Sequence, residues 1–254
     1  MAVTVRYVSD VEGLNVRSTA STSGSLITTL WYGDLMYVIS SSSVTNGSYE
    51  WIKVHYYHVN DDKTTSEGEG WVALAFTTRV TTTSPSKSSI YCSSDYLNQI
   101  QSLTNARYIY KYLNSQGWSN MAIFATLGNM EGESTINPGL TEGTSGAYGL
   151  TQWDPKTKLT NWIASTYGSS ADTSDIDYQL ARILYEVPRE GEQWMSSRMN
   201  NTLTFEEYTT STLTCAELTK YFLYCYEYPS NIESRLSERL AFTQKWNTLI
   251  GCLI

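Results

Sequence analysis

The sequence predicts an α+β chain in two parts: a small all-β region, then a mostly helical region that carries a short β-hairpin. Two observations lead there. In the first part, short runs such as VTVRYV, LNVRS, SLITTL, DLMYVIS, YEWIKVHYY and GWVALAF alternate apolar and polar residues between Gly, Ser, Asp and Asn. Period two between turn formers is the pattern of antiparallel strands. In the second part the period becomes helical, as in Ala106, Ile109, Tyr110 and Leu113, then Ile176, Leu180, Ile183, Leu184 and Val187. Residues 81–89, TTTSPSKSS, are polar and proline-punctuated, as a linker is. The expected organisation is therefore 1–80, a linker over 81–96, and 97–254.

Helix limits in the second part follow from end signals. Asp154 before Pro155 reads as an N-cap and first helical residue, with that helix running to Tyr167 and stopping at Gly168. Thr214 and Glu217 have the spacing of a capping box, and that helix must end before Pro229. Residues 137–153, NPGLTEGTSGAYGLTQW, are rich in Gly and turn formers and read as a loop plus the hairpin.

Composition narrows the function. The formal net charge is −8, with 6 basic minus 8 acidic residues before Ser89 and 11 minus 17 from there on. Neither part is suited to nucleic acid or an anionic membrane, and no apolar run approaches the roughly 20 residues a spanning helix needs. The four cysteines, Cys92, Cys215, Cys225 and Cys252, match no zinc spacing. Cys215 and Cys225 fall in one expected helix, roughly 15 Å apart at ~1.5 Å per residue, too far to be bridged. Free thiols are expected, with pairings to Cys92 and Cys252 as the alternative. Both histidines, His55 and His58, lie in one strand of the β region. The helical region thus lacks the imidazole that a Cys/His peptidase or a zinc amidase requires. No metal or organic cofactor is implied.

The segment richest in chemistry is Gly128–Gly139, GNMEGESTINPG. It ends an apolar helix expected over about Asn120–Ile136, which Asn137, Pro138 and Gly139 must break. At ~100° per residue the apolar stripe is Ile123, Phe124, Leu127 and Met130, with Glu131 near one edge and Glu133 on the opposite flank. Helix phase does not choose between the two. Both sit at the negative end of the helix dipole, where an ionised carboxylate is disfavoured and partial burial adds to the effect. A carboxyl so placed can serve as a general acid.

Two resemblances refine this reading. GLNVRSTASTSGSLITTLWYGD, then Trp51 with Val54, then Gly70, Trp71 and Val72, resemble a bacterial SH3 (SH3b) domain. That likeness implies a small SH3-like barrel that binds peptidoglycan through aromatic residues, for which Tyr32, Tyr49, Trp51 and Trp71 are the candidates. From Ala106 to about Asn247 the chain resembles the phage tail lysozyme family, through ARYIYKYLNSQGWS, LGNMEGESTINPGL, YGLTQW and CYEYP. This second likeness implies a glycosidase that cuts the β-1,4 bond between N-acetylmuramic acid and N-acetylglucosamine, as in an endolysin. The glutamate directly followed by serine is the acid in that family, which selects Glu133 with Ser134.

A glycosidase ordinarily needs a second carboxylate. Glu142, nine residues on, resembles the spacing of some phage lysozymes, and Asp154 competes. If neither serves, the substrate's own N-acetyl group could take part, as in lytic transglycosylases. Tyr148, Gln152 and Trp153 could line a sugar cleft, because aromatic faces stack on pyranose rings and an amide can bond N-acetyl groups. Glu227 matches a family glutamate usually followed by arginine; Tyr228 departs from that pattern, so Glu227 is expected to be structural. A non-catalytic wall-binding or tail protein is the reading from another class.

The start, MAVTVRYVSD, enters strand-like alternation without a signal-peptide pattern. Synthesis in the host cytoplasm is therefore expected, followed by release through a holin or delivery by the virion; a trimmed leader is the alternative. With a net charge of −8, attachment to an anionic wall must come from local contacts. Raising the salt in a wall pull-down is expected to weaken binding little, and a steep loss would contradict this.

Overall fold

A computed structural model describes residues 4–60, 64–200 and 203–254. The chain divides into two compact units, Met1–Thr83 with Asn98–Gln101 and Thr248–Ile254, and Ser84–Leu97 with Ser102–Asn247.

The first unit is an antiparallel sheet. Its strands are β1 (Val5–Val8), β2 (Leu14–Arg17), β3 (Leu26–Leu30), β4 (Leu35–Val38), β5 (Val44–Asn46), β6 (Tyr49–Val59), β7 (Thr65–Ala73) and β8 (Thr77–Arg79). They run in the order β3-β2-β7-β6-β4-β1-β8, with β5 on β6. Long β6 is the spine, paired with β7 from Trp51 opposite Ala73 to Val59 opposite Thr65 and with β4 on its other side. Among the described residues the path is open, ending at β3 and β8, where the sequence led us to expect a closed SH3-like barrel. The exposure of Leu26 and Ile27 on β3, and a register shift between Val16 and Arg17 on its neighbour, give β3 the character of an edge strand.

One face of the sheet buries Val8, Leu14, Val16, Leu30, Met36, Ile52, Val54, Tyr56 and Val72. A side chain at Gly70 would meet Val16 Cγ1 at 2.3 Å, so this glycine leaves room for the core. Buried Asp34 knits the unit together. It accepts from His58 Nδ1 at 2.5 Å, Gln99 Nε2 at 2.9 Å and the Trp31 amide at 2.8 Å. Burial raises its pKa against the opposing pull of those donors.

The helices are α1 (Gln99–Ser115), α2 (Asn120–Ser134), α3 (Thr157–Tyr167), α4 (Ile176–Glu186), α5 (Phe205–Thr210), α6 (Cys215–Phe222) and α7 (Ile232–Gly251), with a π-helical turn over Leu223–Glu227; apart from the start of α1 and the end of α7 they make up the second unit. α2 is buried along nearly its whole length, from Ala122 to Glu131 and again at Ser134. An apolar helix wrapped on all sides becomes the axis around which others pack. Ser119 caps its start, accepting from the Ala122 amide at 3.2 Å. The capping box of Thr214 and Glu217 opens α6 as the spacing predicts.

Three expectations change. Asp154 caps no helix: its peptide bond to Pro155 is cis, and α3 starts at Thr157 after Lys156. The breaker of α2 lies earlier than Asn137, at Thr135 and Ile136, both left-handed with φ of 55° and 59°. Such angles are costly for β-branched residues and persist only where the surroundings over-determine them. Here Thr135 O accepts from Ser102 Oγ at 2.8 Å, Thr135 Oγ1 accepts from the Leu97 amide at 2.8 Å, and Ile136 O accepts from Asn105 Nδ2 at 2.9 Å. Last, of residues 81–96, read as linker, 84–96 cluster with the helical unit. Asn137 is why: fully buried, it donates to Ser93 O at 2.9 Å and Asp95 O at 2.7 Å. The hairpin shrinks to isolated bridges joining Thr141 to Tyr148 and Tyr148 to Trp153. All four cysteines are free.

The approach of α7 to α2 depends on glycine. A Cβ at Gly128 would lie 2.1 Å from Thr243 Oγ1, 2.7 Å from its amide nitrogen and 2.9 Å from its Cα. Backbone atoms cannot step aside as a flexible side chain can. Gly128→Ala is therefore expected to cost about 1–3 kcal/mol by overpacking, more than the ~1 kcal/mol that alanine gains in helix propensity. A lowered thermal midpoint is the expected result; a raised one would refute the close approach.

Candidate functional site

The last turn of α2 opens into a cleft of about 620 Å³ in the helical unit. Gly132 and Glu133 form its floor. Also lining it are Glu142, Ser145, Gln152, Asp154, Glu192, Gln193, Arg198 and the segment Tyr226–Ser230. The lining is polar and rich in carboxylates, which suits a hydroxyl- and amide-bearing ligand.

The two glutamates at the end of α2 have different surroundings. Glu131 is buried and paired with buried Lys245, whose ammonium lies 4.4 Å from the Trp246 ring centroid. Glu131 does not line the cleft. The Glu133 side chain is 21% exposed, and its Oε1 accepts from Arg239 Nη2 at 2.5 Å. Arg239, on α7, is itself only 1% exposed and lies directly on α2. A Cβ at Gly132 would fall 1.2 Å from Arg239 Nη1 and 2.0 Å from Cζ, so only glycine permits this arrangement.

Arg239 serves more than one carboxylate. Glu227 Oε2 stands 3.7 Å from Arg239 Nε, wider than a hydrogen bond, and Glu238 Oε2 is 3.0 Å from Nη1. Burial opposes the guanidinium's charge, and Glu227, Glu133 and Glu238 together more than restore it, leaving its pKa raised. Glu227, its side chain 3% exposed, has its pKa pushed well up, first by burial and then by the charge of Glu133, with Arg239 pulling the other way. The π-helical turn that ends at Glu227 delivers this side chain into the cleft wall, and the next residue, Tyr228, turns left-handed at φ 48°. The Arg198 guanidinium lies 3.9 Å from the Tyr228 ring centroid, so an arginine reaches this corner through space.

Of the residues singled out from sequence, Glu133, Glu142, Gln152 and Asp154 converge on the cleft. Glu142, exposed, accepts from the Ser145 hydroxyl and amide. Gln152, with φ 50°, spends its amide nitrogen on Leu140 O at 3.2 Å and Gly149 O at 2.9 Å. Three others do not line it. Ser134 is fully buried and bonds Leu150 O at 2.9 Å and Met130 O at 3.1 Å, tying the helix end to the following loop. Trp153 is a core residue, 1% exposed, donating to Glu186 Oε1 at 3.2 Å. Tyr148 turns its hydroxyl to Thr173 and Ser174.

Sequence reading passed over Arg239 and took Glu227 as structural. A signal for Arg239 was present: it falls three, four and seven residues before Phe242, Thr243 and Trp246, on the buried stripe of its helix.

Among the four aromatics of the β unit, Trp51 is 3% exposed, with its indole nitrogen donating to Asn46 O at 3.2 Å. It is a packing residue with almost no face to offer. Tyr49 meets Trp51 edge-on and also packs on Phe76; Tyr32 is 49% exposed beside Tyr7; Trp71 is half-buried. Trp31, 50% exposed, is an aromatic the sequence reading had not singled out. Among the described residues there is no cluster of His, Cys, Asp and Glu able to hold a metal ion and no helix long and apolar enough to cross a membrane.

Residues 104–250, which include every residue lining the cleft except Tyr96, match the phage tail lysozyme family. The chain belongs to that family. Over 146 residues it is 46% identical to Morphogenesis protein 1 of Bacillus phage B103, a stretch that is 56% of this chain and 38% of that protein.

Because the Glu227 pKa is raised, its contribution to stability is fully present below the unfolded carboxyl value of 4.5 and is lost as pH rises through the folded value. Glu227→Gln removes that loss. The melting temperature of this variant relative to wild type is expected to climb between about pH 4 and pH 8; a difference independent of pH would contradict the assignment.

Proposed function

We propose that this protein is a peptidoglycan hydrolase that cleaves the β-1,4 bond between N-acetylmuramic acid and N-acetylglucosamine, with Glu133 as the general acid. The observation that carries this reading is the place of Glu133, partly exposed on the floor of the polar cleft, while its neighbour Glu131 is sealed against Lys245. Glu133 would give its proton to the glycosidic oxygen as the bond to the sugar's anomeric carbon breaks. Glu142 is the proposed second carboxylate, acting on that carbon directly or through a water. Asp154 rivals it more closely than sequence suggested, since it caps no helix and lines the same cleft. Gln152 is proposed to touch substrate; Ser134, Tyr148 and Trp153 support the cleft from behind.

The β unit is proposed to be an SH3b-like wall-binding module, using Tyr32, Tyr49 and Trp71. The name of the phage B103 relative favours a second reading of context, in which the enzyme travels with the virion as part of a morphogenesis protein and opens the wall locally. Release through a holin is the endolysin alternative. A lytic transglycosylase with the same acid is the nearest chemical rival.

Digestion of purified Gram-positive cell wall, with mass spectrometry of the muropeptide ends, tests these readings together. Reducing ends are expected from the wild type; 1,6-anhydro ends would identify a transglycosylase, and no digestion would leave a binding or structural protein. Glu133→Gln is expected to lose about 10²–10⁴ in rate, the usual contribution of a general acid, and full activity would overturn the assignment. In parallel, Glu142→Gln and Asp154→Asn rank the second carboxylate: the one that serves falls as far as Glu133→Gln.

A further inference from the structure

The residue that the function above does not use is Glu227. A carboxyl with a 3% exposed side chain on a cleft wall is expensive to keep unless something nearby requires it. Facing it are Glu133 from α2 and Arg239 from α7; Tyr208 on α5, whose hydroxyl bonds Thr126 and Ala122, feels its charge, and Glu238 pairs with Arg239. One guanidinium therefore serves two carboxyls that line the cleft, Glu133 and Glu227, and a third, Glu238, that does not line it. Were Glu133 and Glu227 both ionised, this buried cluster would carry a net negative charge. Arg235, 3.8 Å from Glu238, answers the third carboxylate, so one proton on the pair leaves one carboxylate to Arg239, and such a proton belongs to both groups.

We propose that Glu227 is a positioning residue for Glu133: the two carboxyls, clamped by Arg239, hold one proton in common and deliver it through Glu133 to the leaving oxygen of the glycan. This rests on Glu133 being the acid. As the bond from the anomeric carbon to the glycosidic oxygen breaks, its electron pair goes to that oxygen, which takes the proton. The pair is then doubly ionised against a single Arg239. The water that supplies hydroxyl to the anomeric carbon returns its proton to the pair, and the resting state is restored.

Glycine at 132 leaves the space that the Arg239 guanidinium occupies against α2, within reach of both carboxyls. Ordinary salt-bridge chemistry would need only one carboxylate here.

Two measurements test the proposal. The first is a carbon-13 NMR titration of the glutamate carboxyls in the folded wild-type chain, with Glu133→Gln and Glu227→Gln for assignment. Two resonances that each report both steps of a coupled titration are expected. Two independent single-step curves would overturn the proposal, whether or not the protein digests cell wall. The second is the pH profile on soluble glycan fragments. In Glu227→Gln, Arg239 faces Glu133 alone and the second carboxyl that would share the proton is gone. The alkaline limb of kcat is expected to move down by about one pH unit or more, kcat to fall at least about tenfold, and KM to change little. An alkaline limb that stays in place would reduce Glu227 to a packing role. A coupled titration in a wild type that digests nothing would instead refute the hydrolase reading and leave the shared proton standing.

Discussion

The structure of the helical unit depends on a guanidinium buried against a helix backbone. Arg239 reaches the last turn of α2 because Gly132 has no side chain, and α7 comes near enough for this because Gly128, one turn earlier, has none either. The two glycines meet Arg239 and Thr243, which are likewise one turn apart on the antiparallel α7. Small residues on one helix thus set both the spacing of the pair and the position of its charge. Removing water from such a charge costs several kcal/mol unless it is compensated, and Glu133, Glu227 and Glu238 are the compensation. The cleft floor is built from the groups that make the buried arginine tolerable.

That constraint explains how the segment Gly128–Gly139 divides its work. Glu131 closes against Lys245, Glu133 opens to the cleft, and Ser134 ties the helix end to Leu150. Thr135 and Ile136 then reverse the chain in a left-handed conformation that Ser102, Leu97 and Asn105 hold in place. Asn137 anchors the preceding segment at Ser93 and Asp95. A carboxyl at a helix end would ordinarily be mobile; here the residues on both sides of it are buried and hydrogen-bonded, so Glu133 is presented at a fixed place. Placing a reactive side chain on a rigid element is what a preorganised site requires.

The residues that failed to reach the cleft failed for related reasons. Trp153 and Trp51 are large apolar bodies, and burial is the stronger pull on them unless a ligand is present to compete. Tyr148 is carried away by its two bridges, which leave its hydroxyl facing Thr173 and Ser174. Asp154 moved in the other direction: freed from the helix start assigned to it, it joined the carboxylates of the wall. In the β unit the alternation of apolar residues was a sound guide to strands, but closure of the sheet depends on which edges meet, and the described sheet ends at β3 and β8.

Local sequence by itself determined the antiparallel strands of the first part, the helices of the second, the capping box at Thr214 and the importance of the segment around Glu133. These are short-range matters of periodicity, end signals and composition. Helix phase left Glu131 and Glu133 equal, and only family resemblance favoured the second. The tertiary structure alone decided what each carboxylate faces. Glu227 and Arg239 lie about a hundred residues along the chain from Glu133, and no pattern within one element states that they share a space with it. Burial and ion pairing are properties of that shared space, and they separate a glutamate sealed against lysine from one that lines a cleft.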